Sequence, residues 1–589
     1  MAAPEEKDMI QLQHLETGTP VESGNGTATN QQLVNTEAMT LVSEVPKGYF
    51  RSPLFLGTYF AVAISLVAGS GSYAYIGGLL ATINADIGPS TNYAWMGYAY
   101  TLCSACTFCL VGRFSDLFGR RWVIIGGTVL GLVGAIIGSQ AKTIPVVIAA
   151  MAIQGVASST QIAFQFVMGE LVPIGRRFIV MATMFAWSIL GGGIGIAIGL
   201  MFSTHTSVGW RGAFYYLIGL DVAALTLLVF FYFPPSFHDL EKRKTKMQVL
   251  KEFDFVGLFL FISGFCLFLI SISFGGNTYP WKSSQVIALL VVGICLLGVF
   301  IVWEWNANLS APFIPFYLFR NLRWVAMSIV LGIGALQFYA MALVWPQMVR
   351  ALWPATGDRY AWIATVPSLC LLIGQTTGGV LSNFMPPRLV VVTGTVVGTA
   401  LLGGCACARE DNFYTVLPLA VVGYFLIGFQ EAVGGTYITI LLHDQNDIGT
   451  GGGVGATIRS GMSALGSAVL GSVLQNTLSS NVPKYVTSAA TSAGLPASSV
   501  AQLILVIKGT AKSSTVPGLT PEILDVATHA YRTAASIAFR NVMLTAMAFG
   551  TIGIACSFFA PSMDESKKAI IARTLHRRGL VEHDNKDKK

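Results

Sequence analysis

Gly112-Arg113-Phe114-Ser115-Asp116-Leu117-Phe118-Gly119-Arg120-Arg121 and Gly379-Val380-Leu381-Ser382-Asn383-Phe384-Met385-Pro386-Pro387-Arg388 are two versions of one stretch. A leading glycine, a Phe or Leu two residues on, then Ser, Asp or Asn, and a closing Arg recur at matching offsets. Each copy is a short polar break between long apolar runs. The number of runs around each copy therefore sets the architecture.

A helix that crosses a bilayer needs about 20 mostly apolar residues. Such runs fall near 54–80, 93–112, 121–140, 144–169, 178–202, 211–233, 253–275, 284–304, 324–349, 361–382, 389–408, 413–441, 450–478 and 540–560. That is fourteen, and each copy of the repeated stretch follows the second span of a six-span block if spans 7 and 8 form an insert. The chain reads as 6 + 2 + 6: a bundle over 51–235, a two-helix insert over 236–310 and a second bundle over 311–560. Composition agrees. Of 589 residues, 53% are hydrophobic and 11% charged, against roughly 25% charged in a soluble domain. There is too little charge to coat a water-facing surface, so the expectation is an all-α polytopic membrane protein with no nucleic-acid partner. Repeated halves with a site between them at mid-membrane suit a secondary transporter.

The net charge is +7, and its distribution gives an orientation. Arg113, Arg120, Arg121, Arg176, Arg177, Lys242, Arg243, Lys244, Lys246, Lys251, Arg320, Arg323, Arg388 and the cluster from Lys567 onward fall on one side. Basic residues mark the cytoplasmic face, which puts both termini inside. Residues 1–50 and 561–589 read as cytoplasmic tails, the first disordered and without a signal peptide. A long outer loop spans 480–536 and should hold short helices. The sequons Asn25-Gly26-Thr27 and Asn308-Leu309-Ser310 fall on the inner side, away from glycosylation. Cys103, Cys106, Cys109, Cys266, Cys295, Cys370, Cys405, Cys407 and Cys556 all sit in apolar stretches. The first three lie three residues apart along one span with no His or acid nearby, so packing is preferred to a metal site or a disulfide framework.

The first copy of the repeat resembles the loop signature of the major facilitator superfamily, Gly-x-Leu-x-Asp-x-x-Gly-Arg-Arg, with Phe114 in the Leu position. Ile83-Asn84-Ala85-Asp86-Ile87-Gly88-Pro89-Ser90, Gly169-Glu170-Leu171-Val172-Pro173, Tyr279-Pro280-Trp281-Lys282 and Gln430-Glu431-Ala432-Val433-Gly434 are similar to the fungal trichothecene efflux pump family. So is Asp447-Ile448-Gly449 followed by Ile458-Arg459-Ser460. The resemblance implies a fourteen-span major facilitator fold and proton-driven export of a fungal toxin or drug. Siderophore–iron transporters lie close to this family, which makes proton-coupled uptake of an iron–siderophore complex the alternative. Two departures stand out. Drug antiporters often carry an Arg three residues before a Gln-Gly pair in span 4; here Gln154-Gly155 is present and that position is Met151. Span 5 has Gly191-Gly192-Gly193-Ile194-Gly195 where a Gly-Pro signature is expected. A proton relay would have to use other residues.

Charge inside a span is costly, at least about 2.5–3.5 kcal/mol. Asp221 in span 6, Glu431 in span 12 and Arg459 in span 13 are the candidates for proton coupling, with Glu431 and Arg459 at similar depth and able to pair. Fixed structural roles are the competing reading for each. Gln154, Ser158, Gln161 and Gln165 are spaced +4, +3, +4 and form one stripe on span 4. Lipid cannot satisfy amides, so the stripe faces either neighbouring helices or a cavity suited to a neutral, oxygenated, largely apolar cargo. Trp187, Gln337, Tyr339, Trp345, Gln430 and Tyr437 are further substrate-contact candidates. Gly112, Asp116, Gly119, Arg120, Arg121, Glu170, Arg176 and Arg177 are expected to form an inner-side gating cluster that latches one conformation.

Other patterns are structural. Gly191, Gly195 and Gly199 permit close helix approach. Gly451-Gly452-Gly453-Val454-Gly455-Ala456 fits a nucleotide fingerprint only formally, since it opens a membrane helix with no preceding strand. No Gly-Lys dipeptide is present for an ATP-binding loop, and the seven His are scattered rather than clustered as a di-iron enzyme needs. A channel would not need the repeated loops. The expectation is a monomeric, non-enzymatic transporter of a small hydrophobic molecule in the lipid bilayer, with no cofactor or metal, at the plasma membrane in preference to the vacuolar membrane.

Overall fold

The computed structural model describes residues 48–90, 92–93, 95–234, 246–275, 279–307, 312–355, 357–442, 448–507 and 516–562. The expectations for 1–47, Lys242, Arg243, Lys244, the two sequons, Asp447 and the basic tail from Lys567 lie outside these residues. Among the described residues every named element is helical. The long ones are α1 Pro53–Gly77, α2 Trp95–Phe118, α3 Arg120–Ser139, α4 Ile144–Gln161 continued by Phe164–Leu171, and α5 Arg177–Ser188 continued by Gly195–His205. They are followed by α6 Arg211–Phe231, α7 Phe255–Phe274, α8 Ser284–Asn306, α9 Leu322–Leu352 and α10 Gly357–Phe384. The last are α11 Pro387–Gly404, α12 Phe413–Ile440, α13 Ile448–Ser492 and α14 Pro521–Ser557.

Local chemistry sets where these helices start. Ser52 caps α1 by accepting from Phe55 N, with Pro53 at the first helical position. Asp254 caps α7, Ser283 caps α8 and Asn321 caps α9 in the same way. Gly119, at φ 90°, separates α2 from α3; a side chain would be strained in that left-handed region.

Among the described residues twelve helical stretches are long and apolar enough to cross a membrane. The chain is a multi-pass membrane protein. α2, with 24 residues, and α13, with 45, are long enough but more polar and fall outside the twelve. α8 shows what surrounds the others: Val291, Val292, Ile294, Val299 and Val302 are each about half exposed. Such a face is unstable in water and at home in hydrocarbon.

Two groups of helices form. α6 packs on α1 and α3, and α4 on α1, α2 and α3. In the second group α12 packs on α9, α10 and α11, while α14 packs on α9, α11 and α13. The groups meet along two seams, α2 against α13 and α5 against α10, and α7 and α8 form a hairpin with α7 touching α2 and α13. Small residues set these approaches, as expected where lipid supplies no hydrophobic drive. Gly191, Gly195 and Gly199 run along α1, where added Cβ atoms would strike Val67 O, Ala74 and Tyr75 O. Gly374 of α10 presses on the Phe425 carbonyl of α12 in the same manner. Gly374→Leu is therefore expected to destabilise the second group by several kcal/mol, more than the about 1–3 typical of overpacking, because backbone has to move. A thermal midpoint in detergent within a degree or two of the parent's would contradict this packing.

Candidate functional site

A cavity of about 740 Å³ lies between the two groups, within the usual size range of small-ligand sites. Tyr73 of α1 and Tyr98, Tyr100 and Thr101 of α2 line one wall; Tyr339 of α9, Tyr360 of α10 and Ser460, Ser463 and Ser467 of α13 line the other. The serines recur at +3 and +4 and so share one helix face. The Tyr73 and Tyr100 rings stack with centroids 5.1 Å apart. Aromatic faces with hydroxyl edges make a wall that is apolar and still able to hydrogen-bond. The charged lining residues are Arg350, Glu431 and Arg459. The lining reaches Leu80, Tyr93, Tyr360 and Gln475 at one end of the helices, and none of it comes from 112–121, 169–178 or 379–388. The cavity thus extends to one end and is closed off from the other.

At the closed-off end of the cavity α12 and α13 bring two charges together. Arg459 Nη2 donates to Glu431 Oε2 over 2.8 Å, and Gln375 Nε2 of α10 donates to the same oxygen over 2.8 Å. Glu431 Oε1 is buried and accepts no hydrogen bond. The Glu431 side chain is 1% exposed and that of Arg459 24%, with the guanidinium 5.5 Å over the Tyr339 ring. A carboxylate with one oxygen doubly satisfied and the other bare pays desolvation without compensation.

Of the other substrate-contact and coupling candidates, Gln165 and Tyr339 line the cavity; the remainder do not. Gln154 Nε2 donates to Gly131 O of α3, and Ser158 bonds Ser104 of α2. Gln161 Nε2 donates to Asp221 Oδ1 of α6 over 2.7 Å. The stripe expected to face a cavity ties α4 to three neighbours instead, and Asp221, 1% exposed, sits among them away from the cavity. Gln165 departs because α4 is interrupted at Ile162-Ala163, which turns it off the stripe. Gln337 donates to Thr399 Oγ1, Gln430 to Val330 O, Trp345 to Ile363 O and Tyr437 to Pro561 O. Trp187 stands edge-on to Phe60. The residues missed from sequence are Tyr73, Tyr98, Tyr100 and Gln375. An amide in an apolar span was the available signal for Gln375, since it had to find a partner.

At the other end of the helices the repeated stretch joins the two groups. Arg120 Nη2 lies 2.9 Å from Asp116 Oδ1 and 2.8 Å from Glu170 Oε1, and its side chain is fully buried. Asp116 Oδ2 accepts from Thr450 N over 2.5 Å and from Thr450 Oγ1 over 2.8 Å. An acid of the first group therefore sits on the first turn of α13, where unpaired N–H groups and the helix dipole favour negative charge. Gly112 allows the approach: a Cβ there would meet Gly449 O and Gly453 Cα. The glycine run at 451–455 thus serves packing. Arg177 Nη1 adds a tie to Thr439 O of α12 over 3.1 Å. Arg121 and Arg176 stand apart from the cluster, Arg121 donating to Tyr232 O and Val229 O and Arg176 lying over Phe50. In the second copy Gly379 again sits on a seam, against Phe178 O and Ala182 of α5, but Asn383 is exposed and forms no equivalent cap.

Span 5 also answers for its missing proline. Between Ser188 and Gly195 the helix widens into a π-turn, Ile189–Gly193, a feature that offsets a helix without proline. It lies beside the cavity residues Ser188, Gly192 and Ile196.

The family model described as fungal trichothecene efflux pump (TRI12) matches residues 15–588. The chain belongs to that family. The trichothecene efflux pump TRI12 of Fusarium sporotrichioides is 28% identical over 534 residues, covering 89% of each chain. Among solved structures, the human organic anion transporter MFSD10 superposes with a TM-score of 0.52 at 11% identity, over 85% of this chain and all of that one. The major facilitator superfamily proton:xylose symporter XylE does so at 0.51 and 12%, over 90% and 99%. These likenesses fix the fold as that of the major facilitator superfamily. This trichothecene efflux pump family member is a membrane efflux transporter and not an enzyme.

Proposed function

We propose that the chain exports a small, largely apolar, oxygenated toxin, drug or secondary metabolite, driven by inward proton flow. The observation that carries this is the cavity wall: stacked tyrosines and serine hydroxyls surround a single acid whose second oxygen is bare. Such a wall takes a neutral ring system with hydrogen-bonding oxygens, and the acid can take the coupling proton. In this reading α2 and α13 also cross the bilayer, because Tyr98, Tyr100 and Thr101 of α2 and Arg459, Ser460, Ser463, Ser467 and Gln475 of α13 face the cavity and not lipid. That gives fourteen crossings arranged 6 + 2 + 6, over 51–235, 236–310 and 311–560, with 480–536 outside. Arg113, Arg120, Arg121, Arg176, Arg177, Arg320, Arg323 and Arg388 gather at the latch end, which makes it cytoplasmic and puts both termini there. The cavity then faces outward, at the plasma membrane in preference to the vacuole. One chain builds the whole cavity, so a monomer suffices.

The direction is testable in inside-out membrane vesicles with an acidic lumen. Terpenoid toxins or azoles are expected to accumulate in the lumen until the gradient collapses. Accumulation of ferric siderophores in right-side-out vesicles alone would favour uptake, which the efflux relatives do not support. Of the two candidate coupling acids, Glu431 is the proton carrier in this reading and Asp221 a helix tie. Asp221→Asn should keep pH-driven transport within about threefold of the parent, under about 0.7 kcal/mol in barrier. Proton-driven transport left intact in both Asp221→Asn and Glu431→Gln would remove the assignment.

A further inference from the structure

Cys106 of α2 and Cys266 of α7 face each other with 2.9 Å between their sulfur atoms. Both are free thiols, Cys106 buried and Cys266 half-buried. α7 lies along the seam between the helix groups. Leu102 and Ala105 of α2 cluster with Leu269 of α7, and Phe265 and Ala464 pack on that cluster. On the other side Ser472 Oγ of α13 donates to Gly275 O over 3.1 Å, and a Cβ at Gly461 would meet Phe265. Ser273, near the end of α7, lines the cavity. α7 therefore touches both helices whose first turns and last turns are joined by Gly112, Asp116, Gly449 and Thr450. Opening of the latch end requires α2 and α13 to part. A helix that rests on both without a covalent bond can slide as they do so; one bonded to α2 cannot.

We propose that Cys106 and Cys266 are a site of reversible disulfide formation, and that this bond holds the latch end shut. The oxidant is hydrogen peroxide. The sulfur of Cys266, the more exposed of the pair, attacks the peroxide oxygen, giving a sulfenic acid and releasing one water. The Cys106 sulfur then displaces the second water, so two thiols and one hydrogen peroxide become a disulfide and two waters. A dithiol reductant reverses the step by exchange. Cys103 and Cys109, one turn to either side of Cys106 on α2, are the built-in controls for site selectivity.

The test uses the full chain in membranes treated with hydrogen peroxide, alkylated and digested. A linked peptide joining Cys106 to Cys266 is expected, absent after dithiothreitol and absent in Cys266→Ser. Amide hydrogen exchange over 112–118 and 448–456 should slow at least fivefold on oxidation and recover on reduction. In Cys266→Ser, or in Cys106→Ser should the first variant fail to fold, oxidant should leave that exchange unchanged. Absence of the linked peptide while exposed Cys407 is oxidised would overturn the proposal. So would a linked peptide with no change in latch exchange. Neither readout depends on the cargo or on proton coupling, so failure of the transport reading would leave both standing.

Discussion

Asp116→Ala is expected to abolish export to within a few per cent of the parent while the protein still inserts and elutes as a single species from detergent columns. The carboxylate accepts from Thr450 N, Thr450 Oγ1 and Arg120 Nη2, and the last of these is a fully buried guanidinium. Hydrogen bonds to a charged group contribute about 1.5–3 kcal/mol each. Even with most of that replaced by water, about 3 kcal/mol would favour the state open at this end by about 10²-fold. A carrier that cannot re-close one end stalls. Asp116→Asn keeps an acceptor for Thr450 and loses the charge opposite Arg120, so its activity should fall between the two. Gly449→Ala places a methyl against Asp116 Oδ1 and should resemble the alanine variant. Full export by Asp116→Ala in a vesicle flux assay would mean the cluster sets orientation alone.

Glu431→Gln should uncouple the carrier rather than dismantle it. Glutamine retains an oxygen for Arg459 and Gln375 and sets its amide where the bare oxygen was, but it cannot take up a proton. Uphill export under an imposed pH gradient is expected to fall at least about 20-fold, or about 1.8 kcal/mol, whereas equilibrium exchange of labelled for unlabelled cargo should persist. Arg459→Ala should fare worse. Removing one partner of a buried pair leaves the other unpaired, a loss of about 3–5 kcal/mol, so both exchange and thermal stability should drop. If Glu431→Gln retains uphill export, the proton travels by another residue.

Much of this was legible because lipid leaves few choices. Apolar runs located most helices to within a few residues, but α13 runs on to Ser492 and α14 begins at Pro521, so both extend into the stretch 480–536 read as an outer loop with short helices. Two opposite charges at similar depth in adjacent runs pointed to the Glu431–Arg459 contact. The repeated stretch exposed the Asp116, Arg120 and Glu170 cluster. What stayed hidden was direction. Gln154, Ser158 and Gln161 define a face of α4, but periodicity does not say whether that face meets another helix or a cavity, and here it meets α2, α3 and α6. The break at Ile162-Ala163 then detaches Gln165 from the stripe, an offset invisible to a constant helical period. The same limit concealed Tyr73, Tyr98 and Tyr100, which read as ordinary aromatics until the second helix group stands opposite. Thr450 was hidden for another reason: its partner Asp116 is far away in sequence, and no local pattern announces a helix start that waits for a remote acid.

The 45 residues of α13 exceed what a bilayer requires. From Thr450 to Pro483 the helix rises about 50 Å, carrying Arg459 partway along and ending where Val482, Val486, Val500, Leu503 and Ile523 build a small apolar knot beyond the cavity mouth. A rod pivoting near its middle acts as a lever arm. A tilt of about 5° lifts Thr450 about 2 Å from Asp116 and swings the knot by a similar distance the opposite way. The fate of the two hydrogen bonds from Thr450 to Asp116 would thus be felt as a displaced lid at the far end of the helix, with no signal passing through anything but one stiff helix.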